Sequence, residues 1–248
     1  MSRSNSTEMT ENPTTRFFQW SGKTGKVTYW DKELSKDIEV KLPFMFLVLD
    51  ELHTIKGFSE SEEKGISSNE VRDISKDVLN VKVGKNTIEK GLYSAIKDSI
   101  KAKGGKYAKA TYIAYRDDNG KLSIGKFTFT GSSLSGGEYK KGKEKAKIGG
   151  WMDFTKTCDI YKNAVHLSLE EQVCTKGANE YRVPHFEFDK VSKETELEAA
   201  KLDVVLQTYL NSKLKARDVE HTESVAEKSN INEGLTQEQI DASENLPF

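Results

Sequence analysis

Tyr107 to Thr130 reads YAKATYIAYRDDNGKLSIGKFTFT, and its alternation decides the fold class. Tyr107 to Tyr115 alternates in β fashion. Leu122 to Thr130 does so again through Ile124, Phe127 and Phe129, and Asp117-Asp118-Asn119-Gly120 between them is a turn sequence. An antiparallel hairpin is predicted. In its first strand a period of two puts Tyr107, Lys109, Thr111, Ile113 and Tyr115 on one face, and Ala108, Ala110, Tyr112 and Ala114 on the other. Small alanines suit close packing, so the Ala-rich face is expected in the core and the Lys109 face toward solvent and ligand.

Outward from this hairpin, the same kind of signal recurs. Phe17-Phe18-Gln19-Trp20 and Lys26-Val27-Thr28-Tyr29-Trp30 flank a Gly-containing loop and predict a second hairpin. If that hairpin is regular, one of Trp20 and Trp30 is structural and the other exposed. Phe44 to Leu49, after Pro43, reads as a buried strand, and polar Ser59 to Asn69 as a surface loop. Ile88, Leu92, Tyr93, Ile96 and Ile100 recur at helical spacing before Gly104-Gly105. Gly131 to Gly150 is Gly-, Ser- and Lys-rich and expected as loop. Val165 to Val173 and Tyr181 to Phe188 suggest two more strands. Glu194 to Arg217 is a helix with Leu202, Val205, Leu206, Tyr209 and Leu210 on one face.

This pattern is mainly β with helices, and scattered strands around one helix match a small OB-like β-barrel. The expected organisation is a disordered N-terminal arm over 1–12, an OB-like domain over 13–191 and an amphipathic helix over 192–217 packing on the barrel. A disordered acidic tail over 218–248 completes it. No run approaches the roughly 20 apolar residues that span a bilayer. The first fifteen residues carry no apolar stretch after Arg3, so a secretory leader is not expected. Two cysteines, Cys158 and Cys174, exclude a disulfide-dense scaffold and suit a reducing, cytoplasmic setting.

The 248 residues have a net charge of only -1. Residues 218–248 hold eight acids against Lys228, or -7, which leaves the remainder at +6. Between Lys82 and Lys147 sixteen basic residues face six acids, a net of +10. A basic body with an acidic tail points to a polyanionic partner, against the plainer reading that the lysines only solvate the surface.

Catalytic motifs are not assembled. Gly22-Lys23-Thr24 resembles the end of a phosphate-binding loop, but Phe17 stands where that loop needs glycine, and a strand rather than a helix follows. In Gly131 to Gly137 neither Ser133 nor Ser135 has glycine on both sides, so the nucleophile-elbow pattern fails. Cys158, His166, Cys174 and His185 are metal ligands by type but lack closely spaced pairs, so no metal or cofactor is expected. His53 reads as a core or edge histidine. Asp50 and Glu51, adjacent in a strand, point to opposite faces and cannot jointly hold one ion. The expectation is a protein that is not an enzyme.

Single strands of nucleic acid are bound by cations that track phosphates and by rings on which bases stack. This chain interleaves both. The candidates are Lys23, Lys26, Tyr29 and Trp30 at the first hairpin, then Lys103, Lys106, Tyr107, Lys109, Tyr115, Arg116 and Lys126 around the second.

The last residues, Asp241-Ala242-Ser243-Glu244-Asn245-Leu246-Pro247-Phe248, resemble the C-terminal tip of bacterial single-stranded DNA-binding proteins, acidic and then aliphatic, Pro and Phe. Leu246 stands where that family usually has Ile, and Asn245 replaces an acid. The resemblance implies a non-enzymatic single-stranded DNA-binding protein, phage-encoded or bacterial, acting in replication or recombination. It implies that Asp241, Glu244, Leu246, Pro247 and Phe248 recruit replication or recombination proteins. The rival expectation is a structural or interaction protein of a virus or plasmid with a Lys-rich solubilising surface.

Overall fold

The structure is a computed structural model. It describes residues 10–141, 144–168, 170, 172–176 and 178–233, with side chains described outside 139–145 and 214–233. The chain divides into two units, Thr14–Asp203 and, separately, Met1–Pro13 with Val204–Phe248.

In the first unit, β1 (Arg16–Ser21) and β2 (Lys26–Asp31) form the expected first hairpin, followed by β3 (Lys36–Val40). The apolar run after Pro43 opens β4 (Phe44–Ser59), which is 16 residues long. β5 (Lys64–Ser68), β6 (Leu79–Val83), β7 (Asn86–Gly91) and α1 (Tyr93–Ala102) come next. The deciding stretch forms β8 (Gly105–Arg116) and β9 (Leu122–Thr130), antiparallel as expected. α2 (Ser132–Ser135), β10 (Gly137–Lys141), β11 (Glu144–Ile148) and α3 (Trp151–Phe154) lead to β12 (Ala164–Leu167). β13 (Gln172–Lys176), β14 (Asn179–Val183) and β15 (Phe186–Asp189) follow, and α4 (Lys193–Glu233) begins in this unit and continues into the second from Val204.

The main sheet runs β3-β2-β1-β9-β8-β4-β5-β6-β7, with β12 on β4 and β15 on β12. β1 and β9 are parallel, while the other pairs are antiparallel. The fold is thus mainly β with a C-terminal helix. No pairing among the described residues closes the sheet into a barrel.

Several local expectations are corrected. Part of the polar loop over 59–69 is strand β5, which buries one apolar side chain, Ile66, and so leaves almost no periodic signal. Ile88 belongs to β7, and the helix starts at Tyr93; a strand residue happened to continue the helical spacing. The loop expected over 131–150 contains α2 and the β10–β11 hairpin. The two strands read from Val165 to Phe188 are four. Pro184, which has no N–H to donate, separates β14 from β15. Helix α4 continues past the expected end at Arg217 to Glu233. Residues 1–9 of the arm and 234–248 of the tail lie outside the described residues.

One buried cluster lies on one face of the sheet and is built mainly from rings, and a second, aliphatic one gathers Ile55, Val71, Leu79, Val81, Ile96 and Ile100. Phe127 stacks on Phe129 at 4.3 Å between centroids, and Phe129 on Trp151 at 4.4 Å. Phe18 meets Tyr115 edge-on at 4.9 Å. Gly125 lies among them because a Cβ there would be 2.7 Å from the Phe18 ring and 3.0 Å from Tyr115. The expected division of β8 into wet and dry faces does not hold. Thr111, Ile113 and Tyr115 are as buried as Ala108, Ala110, Tyr112 and Ala114. The alanine face is covered partly by α4, whose Ala199 and Leu202 pack with Ala114, Leu122, Leu47 and Leu49. A strand in mid-sheet with both faces covered carries no solvent face.

Phe127→Ala is expected to cost about 3–5 kcal/mol and Gly125→Ala about 1–3 kcal/mol in urea unfolding. Thr128→Ala, on the open face, should stay within about 0.5 kcal/mol.

Candidate nucleic-acid interface

β1 and β9 pair in register, Phe17 with Lys126, Phe18 with Phe127 and Gln19 with Thr128. Phe18 and Phe127 are buried. Since side chains alternate along a strand, Phe17, Gln19, Lys126 and Thr128 all turn to the opposite face. β1 pairs with β2 as Phe18–Tyr29 and Gln19–Thr28. That register, continued by one residue, sets Phe17 opposite Trp30. A row therefore crosses four strands: Trp30, Phe17, Lys126 and Tyr112, the last opposite Lys126 on β8. Trp30 is 56% and Phe17 43% exposed, large values for such rings. The Lys126 ammonium lies 5.0 Å from the Phe17 ring centroid and 5.7 Å from that of Tyr112.

The next row on this face holds Thr28, Gln19 and Thr128, which offer hydroxyl and amide groups. A concavity of about 560 Å³ is lined by Phe17, Gln19, Lys126, Thr128, Thr130 and Lys56, among others.

Carboxylates hold the cations in place. Lys126 Nζ lies 2.7 Å from Glu70 Oε1, and the Tyr112 hydroxyl donates to Glu70 Oε2 at 2.6 Å. On the opposite face, Glu51 accepts from Lys109 Nζ at 2.8 Å, Thr111 Oγ1 at 3.0 Å and Trp151 Nε1 at 2.6 Å. Arg72 pairs with Asp50 at 3.0 Å. Asp50 and Glu51 do face opposite ways, as their adjacency requires. Each buried carboxylate has charge and hydrogen-bond partners, the condition for keeping ions in a low-dielectric interior.

The residues singled out from sequence divide three ways. Lys23, Lys106 and Trp30 are exposed. Lys26 is exposed and 2.5 Å from Glu39; Lys103 is 2.8 Å from Glu89; Arg116 donates to the Gly120 carbonyl at 2.9 Å and to Thr195 at 3.3 Å. Tyr29 and Tyr115 are buried, with the Arg16 guanidinium 4.3 Å from the Tyr29 ring centre, so neither presents an open face to a base. Lys109 and Tyr107 lie on the core side of the sheet, away from the row of Trp30, Phe17 and Lys126. Only Trp30 and Lys126 of the eleven fall in that row, and Lys26 borders it on β2. Asp241, Glu244, Leu246, Pro247 and Phe248 lie outside the described residues.

Phe17, Gln19, Thr128 and Lys56 were missed. Alternation within Phe17-Phe18-Gln19-Trp20 does carry the signal, because whichever of Trp20 and Trp30 is structural fixes the parity. Trp20 is half-buried and its Nε1 donates to the Arg182 carbonyl at 3.1 Å, so Trp20 is the structural one.

His53, read as a core or edge histidine, is half-buried and its backbone bridges Val71. Its Nδ1 lies 2.5 Å from the Tyr107 hydroxyl. Burial pushes the Tyr107 phenol up to about 12, with the Glu51 charge adding to it. Burial, then the Lys109 charge, holds the His53 imidazole below its usual value. Tyr107 thus keeps its proton and donates to a neutral His53, which carries its own on Nε2. As pH falls through the ordinary histidine range the unfolded chain takes up a proton before the folded one, so stability contributed above that range is lost. His53→Gln, compared with the native chain by urea unfolding at about pH 7 and about pH 5, should lose less stability on acidification. Comparison with protein families, with curated proteins and with solved structures gives no match.

Proposed function

We propose that this chain is a non-enzymatic single-stranded DNA-binding protein and that the strand crosses the open face of β2, β1 and β9. The observation that carries the reading is the row of Trp30, Phe17 and Lys126, which sets two exposed rings beside a fixed ammonium. Rings of this kind stack on unpaired bases whatever their sequence, contributing about 1–3 kcal/mol per base. Lys126, Lys56 and Lys26 supply charge for phosphates, and Gln19, Thr28 and Thr128 supply hydrogen bonds to sugar and phosphate oxygens. The reading does not require an OB barrel, since an open sheet presents the same groups.

The acidic segment 218–248, with its net charge of -7, competes for the same cations in the free protein. Displaced by DNA, its tip, Asp241 to Phe248, recruits replication or recombination proteins of a phage or bacterial host.

One observation favours a second reading. Lys26, Lys103, Lys109 and Lys126 each meet a carboxylate, as in a viral or plasmid structural protein whose lysines serve only solubility. The two readings separate on oligo-dT binding followed by intrinsic fluorescence. The DNA reading expects Trp30 quenching and an affinity that falls with salt, at a log–log slope of about -2 to -3 for three or four phosphates. Phe17→Ala and Trp30→Ala should each weaken binding about 5- to 150-fold. No quenching and a slope near zero would leave the second reading standing.

Deleting 218–248 should tighten oligo-dT binding at low salt and make little difference at high salt, where screening already removes the competition. Unchanged affinity at low salt would rule out the competing tail. Phe248→Ala should leave DNA binding intact and abolish partner recruitment.

A further inference from the structure

β12 and β15 pair antiparallel with His166 opposite Glu187, and the Ser168 amide donates to the His185 carbonyl at 3.0 Å. Residues 166, 168, 185 and 187 therefore share one face of this edge. Their side chains converge, and Glu170 joins them from the segment beyond β12. His185 Nδ1 has Ser168 Oγ at 2.8 Å, Glu170 Oε2 at 3.0 Å and Glu187 Oε1 at 3.5 Å. The other Glu187 oxygen, Oε2, lies 2.7 Å from His166 Nε2. Ligand atoms of Glu170, His185 and Glu187 all lie within 4.8 Å of one another.

A ring nitrogen carries at most one proton, and that proton serves one acceptor well. Three oxygens around one nitrogen, two of them from carboxylates, make a poor hydrogen-bond arrangement and a good coordination arrangement. Two carboxylates so close also repel, and a divalent cation relieves the repulsion. His166 fits a supporting role. Its Nδ1 is buried with no hydrogen-bond partner among the described residues. A buried bare N–H would be costly there, so the ring proton belongs on Nε2, donated to Glu187. A donor of this kind orients a ligating carboxylate.

We propose that Glu170, His185 and Glu187 bind a divalent transition-metal ion of the zinc class, His185 through Nδ1, with His166 as the positioning residue for Glu187. One imidazole with two carboxylates suits zinc, whereas calcium takes six to eight oxygens and magnesium has no preference for imidazole. Glu170 is exposed, so the fourth position is open to water. The ion ties the Glu170 segment to β15. The expectation that no metal is held rested on the wide spacing of Cys158, His166, Cys174 and His185; strand pairing brings the two histidines together despite that spacing, and the cysteines take no part. Cys174 is fully buried, and Cys158 accepts a hydrogen bond from Asn163. None of its ligands belongs to the proposed DNA face, although Ser168 and Glu170 share a concavity with Lys26, which borders that face.

The test is calorimetric titration of Zn²⁺ into the chelator-treated full-length protein, with Co²⁺ absorption as a second probe. One equivalent of Zn²⁺ should bind and raise the thermal midpoint, Co²⁺ should develop the intense bands of a four-coordinate site, and Mg²⁺ should do neither. His185→Gln, Glu187→Gln and Glu170→Gln should each abolish binding. Glu170 is exposed, so its variant keeps the fold even if the other two do not. His166→Gln should weaken binding by about 10- to 100-fold. Absence of Zn²⁺ binding to the native chain would overturn the proposal, and so would an unchanged equivalent in Glu170→Gln.

Discussion

Phe18 and Phe127 lie side by side where β1 and β9 run parallel, and the rest of the structure depends on burying that pair. Their rings join a column continued by Phe129 and Trp151, and the column fixes which face of the sheet is interior. Backbone pleating then leaves no choice for the alternate residues. Phe17, Lys126, Gln19 and Thr128 must emerge together on the far side. Gly125 shows how tightly this is set, because a single methyl group there would enter the Phe18 ring. A slip of one residue in β1 would send Phe17 inside and Phe18 out, exchanging core and candidate interface.

The charges follow from the same geometry. A sheet with both faces partly covered can hold lysines in its middle only if carboxylates come to them. Glu70 and Glu51 do this from opposite sides, and each also accepts a hydrogen bond from an aromatic side chain, Tyr112 or Trp151. Lys126 is thereby held at the Phe17 ring instead of ranging through solvent. A pre-placed ammonium loses less freedom on meeting a phosphate than a surface lysine does, and it must also give up part of its interaction with Glu70. Net charge along the sequence therefore overstates what is open to a polyanion. Of the +10 between Lys82 and Lys147, Lys103, Lys109, Lys126 and Lys147 meet acids, and Glu51, Glu70 and Asp153 come from outside that stretch.

Legibility in the sequence tracks the range of the interaction. Both hairpins can be read because each is a local pattern: alternating side chains about a turn, with Gly120 at φ +75° closing the second. Trp20 and Trp30 separate once the turn register is known: with Ser21 paired to Lys26, Trp30 stands opposite Phe17, an odd number of residues from Trp20, and so on the other side of the sheet. The face assignment of β8 failed because Tyr115 and Thr111 look amphipathic alone and become core only when Phe18 and Phe46 arrive from other strands. The convergence of His166, His185 and the two glutamates was equally hidden, since strand pairing and not close spacing brings them together.

Local chemistry alone determined that this chain is mainly β, where its two clearest hairpins turn, that a helix follows the last strand, and how charge divides between body and tail. These follow from periodicity, turn residues and composition, which act over a few residues. Tertiary structure alone decided that β1 lies parallel to β9, that no pairing among the described residues closes the sheet, which rings reach the surface and which cations already have partners. Those outcomes depend on contacts between residues some hundred positions apart, as Phe18 is from Phe127, and no short-range pattern encodes them.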